Sequence, residues 1–130
     1  MTGNLPYAKR YQDLIAYQKS MELANQVFHE TRSFPKEEVY SLTDQIRRAS
    51  RSVGAQLAEA WGKRNYKKHF ISKLTDASAE LNETEHWLNI AHNCSYISIT
   101  TRNEIIDLCT EINRLINGMK SKAELFCLSE

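Results

Sequence analysis

The 130-residue chain has little of what breaks or staples a fold. It has two prolines and four glycines, too few for a collagen-like or low-complexity chain. β-Branched runs are scarce, so no stretch reads as a strand. Three cysteines, Cys94, Cys109 and Cys127, form an odd set without a Cys-x-x-Cys pair. They read as reduced thiols, with Cys109 a small core residue and Cys127 part of a tail. No apolar run is long enough to span a bilayer, and Met1-Thr2-Gly3-Asn4 opens no signal-peptide pattern. The expectation is a cytoplasmic chain that makes no membrane contact. A Gly-rich phosphate loop is also missing, and spacing proposes no Ser-His-Asp or Cys-His constellation. The chain is therefore not expected to be an enzyme or to carry a cofactor.

What the sequence does contain is long polar–apolar periodicity, in a length suited to one domain with a core of its own. The organising stretch runs from Gln45-Ile46-Arg47-Arg48-Ala49 to Ala58-Glu59-Ala60-Trp61-Gly62-Lys63-Arg64. Wound as a helix at about 100° per residue, it puts Leu42, Ile46, Ala49, Val53, Leu57 and Ala60 on one core-facing side. Gly54, Ala58 and Gly62 recur every fourth residue on another side, as a ridge that lets a second backbone come close. A glycine within a helix costs roughly 1 kcal/mol against alanine, so a close helix contact should compensate for it. The ridge lies off the core stripe, which favours a subunit boundary, although Gly62 also suits a simple helix end.

Three further helices complete an all-α, antiparallel up-down-up-down bundle, with spans predicted at 12–31, 41–62, 65–94 and 100–125. Residues 1–11 read as a flexible leader, 12–126 as the bundle and 127–130 as a tail. The first helix shows Leu14, Tyr17, Met21, Ala24 and Phe28 at core spacing, and Ser33-Phe34-Pro35 stops it. Ser41 is the expected N-cap of the second helix and Asn65 that of the third. In the third, Phe70, Leu74, Ala77, Leu81, Thr84, Leu88 and Ala91 make an unbroken heptad-like seam about 40 Å long. Trp87 lies on its flank, either covering the core edge or meeting another subunit. Thr101-Arg102-Asn103-Glu104 reads as a capping box opening the fourth helix. Its stripe is Ile105, Leu108, Ile112, Leu115 and Met119, reinforced by Ile106, Cys109 and Ile116.

Chemistry on this scaffold is sparse. A di-iron bundle needs two Glu-x-x-His motifs, and only Glu83-Thr84-Glu85-His86 is present, off the seam, so no metal site is expected. Charge, by contrast, is unevenly distributed. Arg47, Arg48, Arg51, Lys63, Arg64, Lys67, Lys68 and Lys73 crowd the middle with Glu59 as the one acid among them, and acids dominate from Asp76 onward. Arg47, Arg51, Lys63, Arg64, Lys67 and Lys68 are candidate phosphate contacts, with Tyr66 and His69 interleaved for stacking. Arg48 fits better as an ion-pair partner of Glu59 or Glu80. Arg48, Gly54, Ala58, Glu59, Gly62 and Trp87 are the candidate subunit-interface residues.

These stretches resemble the four-helix-bundle family first noticed in open reading frames within intervening sequences of bacterial 23S rRNA genes, often labelled S23 ribosomal proteins. The resemblance covers about Tyr11 to Leu125. It is carried by Phe34-Pro35, by Leu42-Thr43-Asp44-Gln45-Ile46-Arg47-Arg48-Ala49, by Ala58-Glu59, and by a set from Asp76-Ala77 through Glu80, Glu83-Thr84, Trp87-Leu88, Ala91 and Cys94 to Tyr96-Ile97. Where the family has Asn-Ile-Ala-Glu-Gly, this chain has Gln56-Leu57-Ala58-Glu59-Ala60. The resemblance implies a homo-oligomer, a pentameric ring in relatives, with no established enzyme activity. It also implies kinship with accessory proteins of diversity-generating retroelements, which bind nucleic acid and a reverse transcriptase. Two functions fit: an oligomer that binds RNA or an RNA–protein complex through its basic belt, or a structural adaptor that recruits a protein partner and uses its charges between subunits.

Overall fold

The computed structural model describes residues 8–127. The expectations for residues 1–7 of the leader and 128–130 of the tail lie outside them. Four long helices, α1 (Ile15–Thr31), α2 (Leu42–Gly62), α3 (Lys67–Asn93) and α4 (Ile99–Ser121), are followed by one short turn of helix, α5 (Ala123–Phe126). No strand occurs among the described residues. α1 packs on α2 and α4, and α3 packs on α2 and α4, so each helix meets its sequence neighbours and the cycle closes.

The α2 and α3 stripes form the centre as expected. Leu42, Ile46, Ala49, Val53, Leu57 and Ala60 are buried, and so are all seven seam residues of α3. A fully buried Leu such as Leu74 or Leu81 contributes about 1.5–3 kcal/mol. In α4 the buried face is Ile105, Cys109, Ile112, Ile116 and Met119, whereas Leu108 and Leu115 stay at its half-buried edges. Burial pushes the Cys109 thiol up to about 12, which keeps it an inert core group.

α1 departs from the expected pattern. Its core face is Ala16, Ser20, Leu23, Val27 and Thr31, preceded by Leu14. Met21 is 46% exposed and Phe28 42% exposed, while Tyr17 and Ala24 are half-buried. The cause lies in α2. A Cβ on Gly54 would stand 2.9 Å from the Ser20 Oγ and 3.5 Å from the Tyr17 ring. α1 and α2 thus cross closely, with the small Ser20 nearest Gly54 and the edge of the Tyr17 ring beside it. The hydroxyls buried there are satisfied locally: Ser20 Oγ donates to the Tyr17 carbonyl at 2.6 Å and Thr31 Oγ1 to the Val27 carbonyl at 2.8 Å.

The connections correct the expected caps. α3 begins at Lys67 with Tyr66, not Asn65, as its N-cap, because residues 63–66 form a turn in which the Tyr66 N–H donates to the Lys63 carbonyl. α4 begins at Ile99: Ser98 is its cap and accepts from the Thr101 N–H at 3.0 Å, which displaces the predicted box at Thr101. α3 ends with Ser95 at φ 63°, its N–H on the His92 carbonyl and the Tyr96 N–H on the Ala91 carbonyl, an arrangement in which the left-handed position usually holds glycine. Ser41 does sit at the start of α2, but the capping acceptor is Glu38. Its Oε1 takes the Leu42 N–H at 3.3 Å and the Ser41 hydroxyl at 2.7 Å, and its Oε2 takes the Tyr96 hydroxyl at 2.9 Å. With Phe34 and Tyr96 rings 5.3 Å apart, this joins the α1–α2 and α3–α4 turns at one end of the bundle. The α2–α3 turn and α5 share the opposite end, where Phe70 stacks on Phe126 at 5.7 Å. Ala8, Tyr11 and Cys127 pack against the core, so the folded body reaches into both segments expected as leader and tail.

Candidate nucleic-acid interface

The bases expected as one belt form two groups. Arg47 and Lys63 are separated by about 24 Å of α2, at 1.5 Å per residue. The groups also differ in support.

Near the start of α2, Arg47 and Arg51 lie against α1. The Arg47 guanidinium sits 4.7 Å from the centre of the Phe28 ring, and that of Arg51 5.7 Å. Arg47 Nε donates to Thr31 Oγ1 at 2.8 Å. The exposed Phe28, read as core, is thus a platform for two cations. Arg48 is exposed and takes neither Glu59 nor Glu80 of its own chain as a partner, which corrects that expectation within the chain. Glu59 pairs instead with Lys73 at 2.9 Å, and Gln56 accepts from the same ammonium at 3.4 Å. This raises the Lys73 pKa, chiefly through the hydrogen bond to Glu59.

The second group surrounds the turn from α2 to α3. Arg64 lies flat on the Trp61 ring, 3.6 Å from its centroid, and its Nε donates to the Trp61 carbonyl at 2.8 Å. Burial against that ring lowers its pKa from the ordinary value. Lys63 and Lys68 are exposed and make no ion pair among the described residues. Lys67 reaches Glu124 at 3.6 Å, both side chains largely in solvent, an interaction worth about 0–1 kcal/mol. Tyr66 is 63% exposed, its ring 5.4 Å from that of His69. Cations around exposed flat rings are the surface that single-stranded nucleic acid uses.

The expected interface residues scatter. Gly54 is buried against α1 of its own chain, so the small-residue ridge does not act as one unit and its assignment to a subunit boundary is corrected there. Ala58 is half-buried, and a Cβ on Gly62 would meet nothing within 4 Å. Gly62 is the last residue of α2 and has no positive φ, so it is not a left-handed cap. Trp87 is half-buried with its Nε1–H on Glu83 at 3.1 Å, and His86 packs edge-on to it. Glu83, with Asp76 and Glu80, belongs to an acidic flank of α3, where burial and then the neighbouring acids raise the Glu80 pKa. Among the described residues no three His, Cys, Asp or Glu side chains cluster as metal ligands, and no helix is long and apolar enough to cross a membrane.

These features define a helical bundle with cationic surfaces at both ends of one helix. The chain belongs to the family of 23S rRNA-intervening sequence proteins, whose pattern matches residues 12–118. It is similar to a crystal structure from Bacteroides thetaiotaomicron, a protein with unknown function from the S23 ribosomal protein family, at 30% identity and a TM-score of 0.74 over 82% of this chain and 96% of that one. No curated protein matches it.

Proposed function

We propose that this protein is a self-associating, non-enzymatic bundle of the cytoplasm that binds RNA at the turn between α2 and α3. The observation that carries this is the exposed set of Lys63, Lys68 and Tyr66 beside Arg64 on Trp61: cations in solvent next to one exposed ring and one stacked guanidinium. Such groups hold the sugar–phosphate backbone and stack bases with little regard to sequence, so binding is broad. One copy offers few phosphate contacts, and a symmetric oligomer multiplies them if one strand spans several copies. The test is fluorescence anisotropy with a single-stranded RNA against salt. Replacing Lys63, Arg64, Lys67 and Lys68 by glutamine lowers low-salt affinity, and the slope of log K against log salt falls by about 0.7 for each phosphate that is no longer neutralised. Equal binding by the variant removes this surface as the site.

A second function, a structural adaptor, is favoured by the α1 stripe. Met21 and Phe28 are exposed with the half-buried Ala24 between them and Tyr17 one turn before, an apolar strip of the kind that meets another protein surface. In self-association this strip replaces Gly54 as the meeting surface. Met21→Glu with Ala24→Glu then lowers the sedimentation coefficient while helicity stays. A wild type that is monomeric at micromolar concentration rejects self-association, and one that binds no RNA at low salt leaves the adaptor.

A further inference from the structure

Beside the α1–α2 turn lies a cleft of about 380 Å³. Arg32, Lys36 and Arg47 line it, with Phe34 and Thr31 on its walls, and no carboxylate is part of its lining. Among the described residues none of the three bases makes an ion pair. Glu38, two residues after Lys36, is engaged by Tyr96, Ser41 and Leu42. Glu30 lines a separate groove on the other side of Arg32.

Arg47 is held without a counter-charge. Its Nε is fixed by Thr31, and its face lies on Phe28. Thr31 is itself 3% exposed and anchored to the carbonyls of Val27 and Phe28. Both terminal amino groups of Arg47 are left without a hydrogen-bond or ion-pair partner among the described residues. A guanidinium oriented in advance and left open at its forked edge matches an oxyanion. A second, independent sign comes from Thr43, which also lines the cleft. It is 5% exposed, and its hydroxyl has no hydrogen-bond partner. Buried hydroxyls without a partner are rare and call for an explanation. Threonine in a helix divides between two χ1 rotamers, so this hydroxyl is not locked in one orientation. Thr43 lies in the first turn of the 21-residue α2, at the positive end of its dipole.

We propose that this cleft binds a phosphate monoester. Such a group carries about −1.5 to −2 charge and three acceptor oxygens, which suits three cations and one hydroxyl. The Arg47 fork takes two oxygens, Thr43 donates to the third, and Arg32 and Lys36 neutralise the charge. Phe34 closes one wall, so the cleft holds an end group, not a continuous strand. It does not depend on the surface around Lys63. The phosphate belongs either to an RNA terminus or to a free nucleotide, which the test separates.

The experiment uses the full chain and three probes: a short RNA with a 5′-monophosphate, the same RNA with a 5′-hydroxyl, and a nucleoside 5′-monophosphate. The phosphorylated RNA binds at least about tenfold tighter than the hydroxyl form, the discrimination expected of about 1.4 kcal/mol. Arg47→Gln abolishes that preference. Thr43→Val removes the hydroxyl at constant shape and reduces the preference several-fold without lowering the thermal midpoint, an outcome that a purely structural Thr43 does not give. The Lys63/Arg64/Lys67/Lys68 glutamine variant keeps the preference even where its total affinity falls, which separates this site from the other. A nucleotide that binds as tightly as the phosphorylated RNA assigns the site to free nucleotides. Equal binding of the two RNAs together with no nucleotide binding overturns the proposal, as does full retention of the preference in both Arg47→Gln and Thr43→Val.

Discussion

At the start of α2, Arg47 is held by the Thr31 hydroxyl and the Phe28 ring, and Gly54 one helix face along lets α1 approach as closely as Ser20 allows. At its exit, Lys63 and Lys68 extend into solvent without ion pairs, and Gly62 faces open space. The same residue types serve opposite ends. In the first half, small and charged residues fit one arrangement of neighbours; in the second, they leave the surface adaptable. A fitted cation discriminates between ligands because its geometry is set before binding, whereas free lysines contribute charge that salt screens.

The largest expected effect separates the two glycines. Gly54→Leu forces a side chain into the α1 crossing and should cost about 1–3 kcal/mol, read as a lower urea midpoint at unchanged m-value. Gly54→Ala should be coupled to Ser20→Ala, because removing the Ser20 Oγ takes away the 2.9 Å clash. A Gly54→Leu protein of undiminished stability that fails to self-associate would return Gly54 to a subunit boundary and break the contrast.

Gly62→Ala is the counterpart, smaller and of opposite sign. Its backbone has no positive φ and its Cβ position is empty, so alanine restricts the unfolded chain without a clash. A gain of about 0.4–1 kcal/mol is expected, measured by the same denaturation. A loss of stability would mean that the exit of α2 is as tightly fitted as its start.

Sequence periodicity identifies α2 and α3 almost to the residue, because both helices bury one wide apolar face between two neighbours. It fails on α1 for a physical reason. Tyr17-Met21-Ala24-Phe28 and Ala16-Ser20-Leu23-Val27-Thr31 are both spaced as helix stripes, and the more apolar of the two is the outer one. The contact at Gly54 sets the rotation of α1: Ser20 and Tyr17 meet α2 there, and Met21 is left in solvent. The signal is in the sequence, as a mid-helix glycine needing a small partner, but spacing does not identify that partner. The bases are legible as candidates, and helix rise alone separates them into two groups, yet the support that Phe28 gives Arg47 and Arg51 requires knowing that Phe28 is exposed. Caps are misplaced where two overlapping patterns compete, as at Ser98 and Thr101. Glu38 escapes because it acts from a separate turn ahead of the helix.

Glu38 also gives the smallest predicted effect, a pH dependence confined to the fitted end. The Ser41 hydroxyl, then the Tyr96 hydroxyl and the Leu42 N–H, hold its carboxyl below the usual carboxylate range. A carboxyl whose folded pKa is depressed adds stability above its unfolded pKa, near the ordinary value of 4.5, and that contribution disappears as pH falls through the lower folded value. Tyr96 behaves in the opposite sense. Its hydrogen bond to Glu38, then burial, push it up to about 12, so its contribution is complete below its ordinary value of 10.0 and disappears as pH rises toward 12. Glu38→Gln should therefore lower the urea midpoint at pH 7 and converge with wild type as acid protonates the native carboxyl, below the ordinary value of 4.5. The quadruple glutamine variant at the exit leaves Glu38 and its donors in place, so its stability should follow the wild-type pH profile. A Glu38→Gln difference that persists undiminished in acid would show that the side chain acts through shape and not through charge, and the start of α2 would then owe its order to packing alone.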